Sequence, residues 1–275
     1  MRYIPLSNSV YKRNRRNFMD EMKGNSLAVF NSNDIYPVSA DSELPFEQHR
    51  DIFHLTGIDQ EETILLLYPA SKNYKTREIL FIRKSDNYTK VWEGEKLSKK
   101  QANELSGINN ICYVEDFKDI LSSIATKVDT FYINKNEHYR ANSPVETRED
   151  RFISWLLKKY PAHNIAKSNP ILQRQRSLKH PSEIDQIKRA CEITGKGFNR
   201  VLKFIKPNIW EYEIEAEFIH EFINNSSKGF AYSPIIASGN DNNVLHYIKN
   251  NKQCKSGELI LMDVGAEYGN YSSDM

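Results

Sequence analysis

The chain has 275 residues, 39% of them hydrophobic and 27% charged, which suits one large or two ordinary globular domains. Its net charge is +2 and both signs are interspersed, which argues against a nucleic-acid-binding protein held by bulk charge. The polar, basic start of the chain lacks the apolar core of a secretory signal, and no run approaches the length of a membrane span. Three isolated cysteines indicate free thiols, so we expect a soluble cytoplasmic protein without nucleic-acid or membrane partners.

Over about the first 170 residues, helical patterns alternate with short apolar runs, which predicts a mixed α/β domain. The first helix candidate, Tyr11–Lys23, begins with a basic cluster. We interpret this cluster as a solvated helix face, and the weaker alternative is a stacking platform for single-stranded nucleic acid. A later helix candidate is Arg148–Tyr160. Runs of strand length lie between them at 26–31, 63–68, 78–83, 111–114 and 130–133.

A turn-rich, basic stretch predicts a domain boundary near residue 175, which gives domains of residues 1–175 and 176–275. Beyond it, Pro181 opens a long amphipathic helix, and a second helix runs from Glu211 to about Asn225. The second helix begins with alternating glutamates that fall on several faces near its N-terminus. We therefore interpret them as solvated partners of the helix dipole rather than as metal ligands. They are Glu211, Glu213, Glu215 and Glu217.

The stretch from Tyr232 to Tyr247 combines a strand pattern with a polar loop and contains one histidine, His246, between two apolar residues. In isolation, such a histidine is more often a hydrogen-bonded packing residue than a catalyst. The alternative is a histidine that donates a hydrogen bond or moves a proton beside a metal-bound reaction centre. The stretch leads directly into the last strands, which favours this alternative.

Two aspartates, Asp263 and Asp274, lie on either side of a turn signal at the end of the sequence. With Tyr268 and Gly269 as the central turn residues, the two aspartates stand directly opposite each other on one face of a hairpin. Like charges in that arrangement repel, unless a shared proton or a cation lies between them. The alternative is a pair of strand-end aspartates that point into water.

These last residues belong to a pattern that resembles the first half of the pita-bread metallopeptidases. The matching stretches are 176–184, Ser238-Gly-Asn followed by His246-Tyr247, and 262–274. Earlier in the chain, 40–57 and Val91-Trp-Glu-Gly94 are similar to the N-terminal domain of the Xaa-Pro aminopeptidases, also called aminopeptidase P. The resemblance implies an α/β N-terminal domain followed by the first half of an α+β pita-bread catalytic domain.

The resemblance also implies a metal-dependent exopeptidase that removes the first residue from peptides with proline in second position. In this family two divalent ions, expected to be Mn²⁺, are held by two aspartates, one histidine and two glutamates, and they activate water and polarise the scissile carbonyl. By motif position, Asp263 matches a ligand of one ion and Asp274 the ligand that bridges both. His246 matches a histidine that assists the reaction, and Tyr232 a tyrosine on the substrate side.

The remaining family ligands lie downstream of the position that matches Asp274. We therefore expect this sequence to be an incomplete, inactive piece of a longer protein that forms a homo-oligomer, and the alternative is a shorter natural gene product. Two other functions stay open. One is prolidase, which shares the metal site but cleaves only dipeptides, and the other is a non-catalytic pita-bread binding module.

Overall fold

The computed structural model describes residues 2–138 and 143–275, which form two compact units. The first unit is Ser7–Leu178, and the second combines Lys179–Met275 with the residues before Ser7. The predicted division at residue 175 instead falls inside a helix, Asn169–Ser177. This helix belongs to the first unit because Ile171 and Leu172 are buried in that unit's core.

The first unit confirms the predicted mixed α/β domain. Its sheet has the order β6-β5-β4-β1-β7-β8, and β4 is antiparallel to both of its neighbours while the other pairs are parallel. The strands are β1 (Ser26–Asn31), β2 (Pro37–Ser39), β3 (Ser42–Glu43), β4 (Ile64–Leu67), β5 (Glu78–Ile82), β6 (Asn110–Tyr113), β7 (Thr130–Ile133) and β8 (Asn164–Lys167), with β2 and β3 forming a separate hairpin. The helices are α1 (Asn8–Glu21), α2 (Arg50–Thr56), α3 (Asn87–Trp92), α4 (Lys99–Ser106), α5 (Phe117–Ala125), α6 (Arg148–Lys159) and α7 (Asn169–Ser177).

Both faces of this sheet are covered by helices. Along β1, Ala28 and Phe30 point into one hydrophobic cluster, and Leu27 and Val29 point into the other, as the two-residue period of a strand requires. Helices α1, α2, α4 and α7 contribute to the first cluster, and α5 and α6 contribute to the second. Coverage on both sides explains why the central strands read as continuous apolar runs rather than as alternating patterns.

The basic cluster at the start of α1 is solvated only in part, because Lys12 and Arg16 are exposed but Arg15 is not. Arg15 is fully buried, and its guanidinium donates to the carbonyl oxygens of Leu55 and Ser106 at 2.7 and 3.0 Å. These carbonyls end α2 and α4, so a cation there satisfies two helix C-termini. Arg15 also pairs with Glu78 at 3.0 Å. The interpretation failed for Arg15 because these partners are distant in sequence.

The second unit contains the two predicted helices followed by antiparallel strands. The helices are α8 (Pro181–Phe204) and α9 (Glu211–Asn224), and the strands are β9 (Ile235–Ser238), β10 (Ile260–Asp263), β11 (Glu267–Tyr268) and β12 (Tyr271–Ser272). Strand β9 pairs with β10, and β11 pairs with β12. Although α8 has 24 residues, no helix within the described ranges is long and apolar enough to cross a bilayer.

Candidate functional site

The turn of the last hairpin lies one residue later than the sequence suggested. Strands β11 and β12 pair Glu267 with Ser272 and Tyr268 with Tyr271, so the central turn residues are Gly269 and Asn270. Both have positive φ, 60° and 68°, as a type I′ turn requires. The predicted turn at Tyr268-Gly269 is therefore wrong.

In the observed register, Asp274 lies opposite Gly265 instead of Asp263. The backbone hydrogen bonds on either side, Val264 to Met275 and Ser273 to Ala266, are both 3.0 Å long. The register has thus moved by an even number of residues. Since side chains alternate between faces, such a shift keeps Asp263 and Asp274 on the same face.

Gly265 is needed where these strands meet. A Cβ atom built on it would lie 2.0 Å from the carbonyl oxygen of Ser273 and 3.2 Å from the ring of Tyr232. The backbone can therefore approach this closely only without a side chain. The segment that carries Tyr232 is held alongside by the Phe230–Ala266 bridge. As a result, the tyrosine ring lies over the glycine, between the two aspartates.

Asp263, Asp274 and Tyr232 converge on one point. The Tyr232 hydroxyl is 2.7 Å from a carboxylate oxygen of Asp263 and 2.7 Å from one of Asp274. Asp263 is half-buried, Asp274 is exposed and Tyr232 is half-buried. Burial, and then the hydrogen bonds to Asp274 and Asp263, raise the pKa of the Tyr232 hydroxyl, so this group is a donor at neutral pH.

One hydroxyl hydrogen cannot serve two carboxylates at the same time. Within the described residues, no other group donates a hydrogen bond to the side chains of Asp263 or Asp274. Two carboxylates that face one shared point lower their repulsion by taking up a proton or a cation. Paired carboxylate oxygens are the ligands that hard divalent ions prefer, so Asp263 and Asp274 fit part of a metal site.

A complete ligand set does not lie in the described part of the chain. Residues 2–138 and 143–275 contain no group of three or more His, Cys, Asp or Glu side chains placed to hold one metal ion. The structure therefore brings together both predicted metal ligands and the predicted substrate-side tyrosine, and it adds no third carboxylate or imidazole to them.

Buried hydroxyls fix the hairpin to helix α8. The Ser273 hydroxyl lies 2.7 Å from that of Thr194, and both accept a hydrogen bond from the backbone N–H of Ala266, at 3.0 and 2.9 Å. Ser273 directly precedes Asp274 in sequence, and Ala266 directly follows Gly265. The position of the carboxylate pair is thus set by the helix as well as by the strands.

His246 is not hydrogen-bonded to this cluster in the described part of the chain. It occupies an exposed turn between Leu245, which is 84% exposed, and the buried Tyr247. The expected apolar bracket is therefore only half formed. Among the described residues, no hydrogen bond connects the imidazole to Asp263, Asp274 or Tyr232. The role of His246 remains a prediction.

Glu211 is, like Arg15, a charged residue whose burial the sequence did not indicate. It was interpreted as solvated, but its side chain is fully buried. One carboxylate oxygen accepts from the N–H and the hydroxyl of Ser238, both at 2.7 Å, and the other accepts from the Tyr247 hydroxyl at 2.7 Å and the N–H of Lys252 at 2.9 Å. The only signal in the sequence is its place at the first turn of a helix, which does not indicate burial.

Two family models match the chain in the regions that form the two units. Residues 11–132 match the aminopeptidase P N-terminal domain, and residues 185–275 match metallopeptidase family M24. The chain therefore has an aminopeptidase P N-terminal domain followed by a partial M24 domain, and Tyr232, Asp263 and Asp274 all lie within the second match.

Similar proteins and similar solved structures support the same family assignment. The chain is 27% identical over 276 residues to the Xaa-Pro aminopeptidase of Escherichia coli, covering 98% of this chain and 61% of that protein. It is 27% identical to human Xaa-Pro aminopeptidase 3, covering 89% of this chain and 48% of that protein. A structure of zinc-substituted E. coli aminopeptidase P in complex with product superimposes with a TM-score of 0.87 at 27% identity, covering 98% of this chain and 62% of that one. A structure of that enzyme with the inhibitor Pro-Leu gives a TM-score of 0.86, with 98% and 62% covered. The chain spans about three fifths of the E. coli enzyme's length.

Proposed function

Starting from an aminopeptidase P-like chain of the pita-bread type, we propose that the whole protein is a metal-dependent exopeptidase. It releases the first residue from peptides with proline in second position. The observation that carries this proposal is the convergence of Asp263 and Asp274 on the Tyr232 hydroxyl, 2.7 Å from each, within the region that matches family M24.

Asp263 and Asp274 are the proposed ligands of two divalent ions, with Asp274 bridging both, and we propose Mn²⁺ as the metal. When bound, the ions supply a Lewis acid and an activated water for amide hydrolysis. Asp274 suits the bridging role because it is exposed and only one of its two carboxylate oxygens accepts the Tyr232 hydroxyl.

The Tyr232 hydroxyl lies within hydrogen-bond distance of both carboxylates, donates to one of them at a time, and lies on the substrate side of the pair. Because the pKa of this hydroxyl is raised, it stays protonated and acts as a donor rather than as a base. His246 is proposed to donate a hydrogen bond to the reacting peptide. Its exposed turn leaves its imidazole open to a substrate.

The proposed preference for peptides with proline in second position is inferred from the relatives. The E. coli enzyme is named for Xaa-Pro substrates, and one of its structures holds the dipeptide inhibitor Pro-Leu. We extend this proline preference to the present protein. We also propose a cytoplasmic location, in agreement with three free thiols, and a homo-oligomer.

Two alternatives make different predictions. A prolidase would cleave Ala-Pro but not Ala-Pro-Ala, whereas an aminopeptidase would release alanine from the tripeptide. A non-catalytic module would bind peptides without cleaving them. Two carboxylates that face one point favour a metal site over a module that has lost its ligands.

The test is release of alanine from Ala-Pro-Ala, Ala-Pro and Ala-Ala-Ala by the whole protein, with Mn²⁺ and with chelator. We expect release from Ala-Pro-Ala alone and only with metal. Cleavage restricted to Ala-Pro would establish prolidase activity, and metal-independent cleavage, or none, would refute the proposal.

A further inference from the structure

Glu211 holds both ends of the loop that carries His246. The loop runs from the end of β9 at Ser238 to Lys252, and each end donates its backbone N–H to a different oxygen of this one carboxylate, at 2.7 and 2.9 Å. Tyr247, next to His246, donates its hydroxyl to the same carboxylate at 2.7 Å. We propose that Glu211 is a positioning residue for His246. The consequence for catalysis rests on the proposed function, whereas the consequence for the loop does not.

The carboxylate is saturated by these contacts. Its four hydrogen bonds match the roughly four lone-pair sites of two carboxylate oxygens. Burying an anion is unfavourable unless such donors replace water, and the N-terminus of α9 adds a favourable dipole. A buried charge used in this way fixes the geometry of the loop rather than taking part in a reaction.

The chemistry requires glutamate and excludes its amide. A backbone N–H faces each oxygen, so an acceptor is needed at both positions. Glutamine would direct its NH₂ group at the N–H of either Ser238 or Lys252 and release that end of the loop. Aspartate is one methylene shorter and would not reach both ends.

A second anchor keeps the loop close to α9 one turn later. The side chain of Asn250 donates to Glu215 at 2.8 Å and to the carbonyl oxygen of Pro234 at 3.1 Å, and it accepts from the N–H of Ile236 at 3.0 Å. Between the two anchors, Leu245, His246 and Ile248 are exposed, while Tyr247 is buried against Glu211. The loop therefore has fixed ends and an open tip.

The first test is amide hydrogen exchange on the whole protein, comparing wild type, Glu211→Gln and a control, Glu217→Gln. Glu217 lies on the same helix and pairs with Arg200 on α8. We expect exchange at Ser238 or Lys252 to be about tenfold faster or more in E211Q, and unchanged in E217Q. Equal protection of both amides in E211Q and wild type would overturn the inference.

If E211Q does not fold, Tyr247→Phe replaces it, since this variant removes one of the four hydrogen bonds and keeps the charge. Exchange at the Lys252 amide, which donates to the same Glu211 oxygen as the Tyr247 hydroxyl, should then rise about threefold or more. No increase there would overturn the inference in the same way.

The second test separates positioning from general support of the fold. E211Q should lower turnover of Ala-Pro-Ala about tenfold or more in the wild-type background and less than about twofold when His246 is already alanine. Equal losses in both backgrounds would show that Glu211 does not act through His246. If the wild-type protein has no peptidase activity, the proposed function fails, while the exchange experiment still decides whether Glu211 holds the loop.

Discussion

Glu211 and the Asp263–Asp274 pair lie in the same unit, but their carboxylates have opposite hydrogen-bonding environments. Glu211 is buried and receives four hydrogen bonds, whereas the two aspartates share a single tyrosine hydroxyl. A carboxylate with a full set of donors is already stable as an anion, and it serves the fold. A pair with too few donors gains from an added cation, and it can serve a reaction.

Glu149, in the first unit, lies between these two cases. It accepts from the Asn31 amide at 2.7 Å and from the N–H of Asn134 at 3.3 Å. Burial is the largest influence, and it raises the pKa of Glu149 to about 7 despite these hydrogen bonds. The three cases together indicate that the number of hydrogen-bond donors, and not burial alone, determines how well a carboxylate is stabilised in this protein.

The comparison predicts the largest effect for loss of either aspartate. Asp263→Asn and Asp274→Asn should each lower turnover of Ala-Pro-Ala by more than about 100-fold. Mutating a group that only hydrogen-bonds to a metal ligand already lowers metal affinity or activity about 10–100-fold, and loss of a ligand itself should cost more. Steady-state kinetics under saturating Mn²⁺ provides the measurement. Asp185→Asn, at an exposed position on α8, is the matched control and should retain activity.

Glu149 should make folding stability depend on pH. Its folded-state pKa, about 7, lies above the ordinary value of 4.5, so the folded protein binds the proton more tightly than the unfolded chain. Its contribution is therefore full below about pH 4.5 and is lost as the pH rises through about 7, by roughly 3 kcal/mol. Urea unfolding of wild type and Glu149→Gln across this range would measure the difference. Parallel pH dependence in the two proteins would contradict the assignment.

Gly265→Ala tests why the aspartates converge. The added Cβ would lie 2.0 Å from the Ser273 carbonyl oxygen, so the hairpin must move, at a cost of about 1–3 kcal/mol. Gly195→Ala is the control, since a Cβ there meets nothing within 4 Å on helix α8, and it should stabilise by about 0.5–1 kcal/mol. Chemical denaturation would compare the two, and equal stabilities would argue against close strand contact at Gly265.

Tyr232→Phe should have the smallest effect of the four. Removing the shared donor leaves both carboxylates in place but less well oriented, so Mn²⁺ affinity should fall about tenfold. The free energy of unfolding should change by about 1 kcal/mol or less. Calorimetric titration of Tyr232→Phe against Tyr212→Phe, an exposed tyrosine of α9, would measure the loss.

The sequence predicted the parts that depend on local pattern. Strands β1, β4, β5, β6 and β7 of the first unit and helices α8 and α9 were confirmed because apolar periodicity and terminal residues such as Pro181 determine them locally. The shared face of Asp263 and Asp274 survived a wrong turn assignment because strand periodicity tolerates an even shift.

The burial of Arg15 and Glu211 could not be predicted in the same way. Their partners are carbonyl and N–H groups from elements far away in sequence, such as Leu55 for Arg15 and Lys252 for Glu211. A charged residue on a helix has the same local pattern whether it faces water or a set of backbone donors. Tertiary contacts alone distinguish these outcomes.

Unfolding of wild type, D274N and E211Q in chelator and in Mn²⁺ tests the central claim most directly. In chelator, E211Q should be less stable than wild type by about 1–3 kcal/mol, because a buried donor loses its acceptor. D274N should be as stable as wild type or slightly more so, because like-charge repulsion is removed. Added Mn²⁺ should stabilise wild type and E211Q but not D274N. Equal stabilisation of D274N and wild type by Mn²⁺ would show that the aspartate pair is not the cation site.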